Sequence, residues 1–222
     1  MKPGPRRSIS QSEIVAAAFE ILAERGFAAV SVRGVAGALG LTPTAMYTYF
    51  PAKQALLTAM VEQLLAGVTV SGGVTVDGDT DSAGVARSAL VETAAALRVR
   101  LRAHPGAVAL VTSGPLDGPV ALALTEGLGA SFVAAGLDRD DAARAAHALL
   151  AHVLGQVALE TAWSDAPAEP ASATLWSDET KHPITDAGAA LGLRTGDETE
   201  FRTAVGRLVD GWLVPAGIAS TR

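Results

Sequence analysis

Residues 32–49 read VRGVAGALGLTPTAMYTY, and few folds accommodate that order of residues. Ser31 just before it and Thr42 within it suit helix N-caps, where a side-chain oxygen satisfies a backbone N–H left open in the first turn. Pro43 takes the first-turn position, where its missing N–H is not needed. Gly40, between the two runs, permits a sharp turn with positive φ. The spacing predicts two short helices joined by a tight turn at Gly40-Leu41-Thr42, a helix-turn-helix. Ala36 is small where the second helix crosses close to the first. Val35, Leu39, Leu41 and Met46 are expected to plug the gap between these helices and a preceding one.

That preceding helix is well marked. Ser10 and Glu13 form a capping box, and Ile9 with Ile14 forms a hydrophobic staple. Its apolar stripe is Ile14, Ala17, Ala18, Ile21 and Leu22, and Gly26 stops it. A fourth helix is expected from near Pro51, with Leu57, Met60, Val61, Leu64, Leu65 and Val68 on one side and Gly72-Gly73 closing it. Residues 71–83, SGGVTVDGDTDSA, read as a loop. Further helices are expected at about 84–103, 105–113, 118–135, 139–163 and 198–213. Asp138 and Asp197 are placed to cap the last two, and Gly136 stops the helix before Asp138. The stripe of the fourth of these is Ala142, Ala146, Leu149, Leu150, Val153 and Val157. That of the last is Phe201, Val205, Leu208, Val209 and Trp212. Residues 164–197 carry Pro167, Pro170 and Pro183 among polar residues and read as loop, with room for a short helix and partial disorder. The expected fold is all-α.

The charge is unevenly spread. The first 60 residues carry Lys2, Arg6, Arg7, Arg25, Arg33 and Lys53 against Glu13, Glu20 and Glu24, a net +3. The rest holds 11 basic and 20 acidic side chains, a net −9 within the overall −6. A basic head on an acidic body implies that the head alone meets a polyanion. The surface left by the small core agrees. Thr42, Thr44, Tyr47, Thr48 and Tyr49 remain outside, and Lys53 follows at the start of the next helix. Both tyrosines of the chain fall here. Hydroxyls, a lysine and a helix N-terminus are phosphate-binding groups. A helical hairpin with no nucleic-acid role has the same spacing, and Tyr47 also suits a half-buried core aromatic.

Other chemistries find little footing. The chain has no Cys, which excludes disulfides, thiolate metal sites and Cys nucleophiles. His147 and His152 are five residues apart, about 140° around a helix, and do not aim at one metal. His104, before Pro105, suits a helix junction. The segment GGVTVDG lacks the Lys-Ser/Thr ending of a phosphate loop, and no G-x-S-x-G elbow is present. Asp77, Asp79 and Asp81 mimic the start of a calcium loop, but the Gly and terminal Glu are misplaced. No cofactor, metal or catalytic residue is expected. No run of about 18 apolar residues suggests a membrane span. The polar, basic start, Met1 to Ser12, lacks the apolar region of a secretory signal. A cytoplasmic protein with a disordered basic start over residues 1–9 is expected.

The stretch Ser12 to Leu57, with AAAFEILAERGFAAVSVRGVAGALGLTPTAMYTYFPAKQALL, resembles the DNA-binding head of the tetracycline-repressor (TetR) family of bacterial regulators. Gly34 stands where a charged or polar residue is more usual, and Tyr49 where His or another ring is common. The resemblance implies that Arg33 contacts a base edge or a phosphate. It implies that Thr44, Ala45 and Thr48 meet base edges in the major groove. Tyr47 and Lys53 match phosphate contacts, with Thr42 offering its hydroxyl; Tyr49 completes this surface. More loosely, His104 to Trp163 resembles a C-terminal domain common among actinobacterial members. This implies a helix-turn-helix domain over residues 1–57 and a helical ligand-binding and dimerisation domain over 58–222. Helices near 139–163 and 198–213 would pair with their twins in a homodimer, although packing on the monomer's own core explains their apolar faces as well. A pocket for a small molecule would be lined by Leu97, Leu101, Leu128, Phe132 and Trp163, although core packing explains each of these as well. The resulting expectation is a repressor that binds a palindromic double-stranded operator and is released by a small-molecule effector. An activator or a ligand-independent regulator fits the same resemblance. An α-helical enzyme and a protein-interaction module are the remaining alternatives.

Overall fold

The computed structural model describes residues 9–70, 82–114, 116–165, 183–184 and 196–214, with the side chains of 82 and 163–165 excepted. Among them every long element is helical. In chain order these are α1 (Gln11–Arg25), α2 (Val32–Ala38), α3 (Pro43–Tyr49), α4 (Lys53–Leu65), α5 (Ser82–Arg102), α6 (Ala107–Ser113), α7 (Pro119–Ala134), α8 (Arg139–Asp165) and α9 (Glu198–Leu213). A 3-10 turn at Phe27–Ala29 links α1 to α2. The all-α expectation holds, and the five expected body helices fall within two residues of the observed ends. The basic start, most of the 71–83 loop, most of segment 164–197 and the Trp163 side chain lie outside the described residues.

Local signals set most helix ends. Glu13 N–H donates to Ser10 Oγ at 3.2 Å, and Ser10 N–H donates to Glu13 Oε2 at 2.7 Å, closing the capping box. Asp141 N–H donates to Asp138 Oδ1 at 2.9 Å, and Thr199 and Glu200 N–H groups donate to Asp197 Oδ1 at 2.8 and 3.0 Å. Each such cap is worth about 1 kcal/mol. The end of α4 differs from the expectation. The helix stops at Leu65, ahead of Gly72-Gly73, because Gly67 turns the chain at φ +89°.

The chain forms two compact units. The first holds Met1–Gly67 and Arg100–Ala123, the second Val68–Val99 and Leu124–Arg222. Compactness thus divides the chain differently from a linear boundary after residue 57. The end of α5, all of α6 and the start of α7 belong with α1–α4. Gly106 shows how tight that packing is. It stands at φ +80°, and a Cβ there would lie 2.8 Å from Leu22 Cδ1 of α1. The core of this unit includes Ile14, Leu22, Val35, Met46, Leu56, Met60, Leu64 and Leu110, each at most 1% exposed.

In the second unit, α8 buries Ala142, Ala146, Leu149, Val153 and Val157, and α9 buries Phe201, Val205 and Val209. Leu150, Leu208 and Trp212, expected in the same stripes, are half-buried. No described helix is long and apolar enough to cross a membrane.

Candidate nucleic-acid interface

The first three helices build a small core that fixes one exposed face. Val32, Val35 and Ala36 of α2 are buried, as is Met46 of α3. Gly40 takes φ +65° at the turn, as its position requires. Leu39 and Leu41, expected as full core plugs, are only half-buried. They flank the turn itself, where the two short helices leave one side open to solvent. Ser31 Oγ accepts from Gly34 N–H at 3.0 Å and starts α2. A Cβ on Gly34 would lie 3.0 Å from that same hydroxyl. The unusual glycine therefore suits its own cap.

The seven-residue helix α3 turns its polar side out. Thr42 and Thr44 are exposed, and Tyr47 is 46% exposed. Thr48 is also exposed, while Ala45 and Tyr49 are half-buried beside them. Arg33 on α2 and Lys53 at the start of α4 are exposed. The expected contact residues are thus gathered on α3 and the starts of its two flanking helices, α2 and α4.

Their hydrogen bonds decide what each hydroxyl can still do. Thr42 Oγ1 accepts from Ala45 N–H at 3.2 Å, so its own proton remains to be donated to an anion. Thr48 Oγ1 donates to the Ala45 carbonyl at 2.6 Å. That commits its proton and leaves its methyl group and an oxygen lone pair outward. Lys53 Nζ sits 5.3 Å from the Phe27 ring centre, a cation–π contact that holds the ammonium near the head.

Two positioning residues have no strong sequence signal. Phe27 is the seat of Lys53. Gln11 Nε2 donates to the Tyr49 carbonyl at 3.2 Å, tying the start of α1 to the end of α3. His104 does shape a junction. Its Nδ1 carries the proton donated to the Arg100 carbonyl at 3.0 Å, and its ring centre lies 5.3 Å from that of Phe19.

The residues expected to line a ligand pocket are buried: Leu97 at 4%, Leu101 at 2%, Leu128 at 1% and Phe132 at 0%. A cavity of about 550 Å³ lies elsewhere in the second unit, lined by Ala135–Asp138, Asp141 and Gly211–Val214, and none of Leu97, Leu101, Leu128 and Phe132 borders it. Among the described residues no group of three His, Asp or Glu is placed to hold a metal ion.

Residues 14–60 match the profile of bacterial regulatory proteins of the tetR family. Residues 80–213 match the tetracyclin repressor-like C-terminal domain. An HTH-type transcriptional regulator of Saccharopolyspora erythraea is 32% identical over 155 residues, which cover 70% of this chain and 62% of that relative's length. A possible TetR family regulator from Streptomyces coelicolor A3(2) superposes with a TM-score of 0.73 at 29% identity, over 91% of this chain and 98% of the other. The structure of BioQ with its natural double-stranded DNA operator superposes with a TM-score of 0.61 at 27% identity, over 93% of this chain and 99% of the other. With the C-terminal profile spanning well over half the chain, and the N-terminal profile laid over the capped α2–α3 pair, the chain belongs to the tetR family of bacterial regulatory proteins.

Proposed function

We propose that the protein is a homodimeric, DNA-binding transcriptional repressor that leaves its operator when a small molecule binds. The observation that carries this reading is the outward face of α3, where Thr42, Thr44, Tyr47 and Thr48 are exposed over a buried Met46. A short helix of this kind fits a major groove, with threonine methyls against thymine methyls and hydroxyls on base edges. Arg33 and Lys53 flank it with positive charge for guanine edges or phosphates. BioQ, similar over nearly its whole length, is seen with its operator duplex.

The dimer has its own support. On α8, Ala151, Gly155, Leu159 and Ala162 are exposed at helical spacing, and Leu159 alone is 49% exposed. A Cβ on Gly155 would meet nothing within 4 Å. An uncharged row of small and apolar side chains lets a second helix approach closely, and a two-fold pairing makes it self-complementary. A palindromic operator follows from that symmetry. The effector acts by population shift: it binds more tightly to a form whose heads are wrongly spaced for the half-sites.

Selection of bound fragments from random duplex DNA tests this. The expected result is an inverted repeat, protected by a dimer and lost on adding an effector found by screening. A chain that stays monomeric and enriches no sequence contradicts the reading. Binding that no small molecule releases removes the effector from it and leaves the DNA-binding part.

A further inference from the structure

The last turn of α4 is held by side chains that exchange helix caps with its neighbours. α7 begins at Pro119, and Gly118 before it accepts the first intrahelical bond, from Leu122 N–H at 2.9 Å. Gly118 thus occupies the N-cap position with no side chain to cap with. The acceptor comes instead from α4. Glu62 Oε2 accepts from Val120 N–H at 2.7 Å, and Oε1 accepts from Ala121 N–H at 3.0 Å. A Cβ on Gly118 would lie 2.4 Å from the Glu62 carboxyl group. Glycine is needed here to admit that carboxylate.

The end of α4 is closed in the same manner. Arg100, in the last turn of α5, donates from Nε to the Leu64 carbonyl at 2.8 Å and from Nη2 to the Gln63 carbonyl at 3.2 Å. These carbonyls belong to the final turn, whose acceptors have no partner within the helix. A carboxylate at one helix start and a guanidinium at another helix end both match the local dipole. Three consecutive residues, Glu62 to Leu64, therefore take part in four hydrogen bonds to α5 and α7. Sliding or rotating α4 breaks them together.

Resting on the DNA-binding reading above, we infer that Glu62 and Arg100 are positioning residues that couple the start of α7 to the direction of α4, and so to the spacing of the two heads on DNA. α4 runs unbroken from this clasp to Lys53, next to α3. A disturbance at residues 118–121 that displaces the Glu62 carboxylate frees the helix that carries Lys53. The clasp is thereby a place where an event at α7 alters operator choice.

The test separates coupling from simple capping. Glu62→Ala removes the cap and the tie together. Adding Gly118→Ser, in the space the carboxylate leaves, returns a local cap to α7 but no bond to α4. Thermal unfolding gives stability. The readout is the ratio of affinities for the selected operator and for the same half-sites moved apart by two added base pairs. We expect Glu62→Ala to lower this ratio about fivefold, the low end of the coupling usually seen between two sites. The Glu62→Ala/Gly118→Ser protein is expected to regain stability while the ratio stays low. Arg100→Met, acting from the other side, is expected to lower the ratio as well, and serves if the first variant does not fold. A ratio that returns with stability in the double variant, or that neither single variant changes, overturns the inference. A wild-type protein with no spacing preference instead sinks the dimeric DNA-binding reading beneath it.

Discussion

The Arg98 guanidinium meets the Glu160 carboxylate with Nε and Oε1 3.1 Å apart, their side chains 2% and 4% exposed. Arg98 also donates from Nη1 to Glu198 Oε2 at 2.6 Å and from Nη2 to the Gly196 carbonyl, and its guanidinium carbon lies 4.8 Å from the Phe201 ring centre. Glu160 takes a further bond from Gln156 Nε2 at 3.2 Å. One arginine of α5 thus joins α8 to the chain entering α9.

Breaking that pair leaves the buried guanidinium with the half-exposed Glu198 as its counter-charge and an unfilled space beside it. Glu160→Ala is expected to cost about 3–5 kcal/mol in urea unfolding, whereas replacing both partners with Met recovers much of the loss. The surface pair Arg87 and Asp210, 2.9 Å apart from Nη2 to Oδ2, offers a contrast: Arg87→Ala is expected to cost no more than about 1 kcal/mol. Equal losses from the buried and exposed variants contradict this account.

His152 makes stability depend on pH. Its ring stacks on Phe201 with centres 6.3 Å apart, and its Nε2 is shut from solvent without a hydrogen-bond partner. Burial holds its pKa below the ordinary 6.5. The folded protein therefore takes up this proton less readily than the unfolded chain. The stabilising contribution is complete above the unfolded pKa and is lost as pH falls from there toward the depressed folded value. Urea unfolding at about pH 7.5 and about pH 5.5 checks it. Wild type is expected to lose more stability on acidification than His152→Leu. Equal losses would remove His152 from the explanation.

Two glycines of α7 make opposite predictions. A Cβ on Gly129 meets nothing within 4 Å, whereas one on Gly127 would lie 2.8 Å from Val70 Cγ2. Gly129→Ala is expected to stabilise by about 0.5–1 kcal/mol through helix propensity alone. Gly127→Ala has the same propensity gain but must push a short, stiff side chain aside, so it is expected to destabilise. Thermal melts of the two variants decide this, and a shared upward shift in Tm contradicts it.

Much of the head was legible because its determinants are local. Ser10, Ser31, Thr42, Pro43 and Gly40 act on backbone within three or four residues, and the sequence spells out that spacing. The body helices were legible from apolar period and from Asp138 and Asp197. What escaped depends on partners far apart in the chain. Glu62 caps a helix 58 residues away, and Arg98 meets carboxylates 62 and 100 residues away. No local pattern marks such pairs. The early end of α4 belongs to the same class: the sequence offers Gly67 and Gly72-Gly73 alike as stops, and only the fold shows Arg100 taking the carbonyls of its last turn.

Fluorescence anisotropy on a labelled duplex of the selected operator, titrated across a range of salt, tests the central claim most directly. The α3 face is expected to give tight binding that weakens steeply with salt. Lys53→Ala should weaken binding to all duplexes alike and lower the salt slope by about one unit. Thr44→Ala or Thr48→Ala should alter sequence preference while leaving that slope in place. Binding absent at low salt, or identical behaviour from the lysine and threonine variants, contradicts a DNA-reading surface built from these residues.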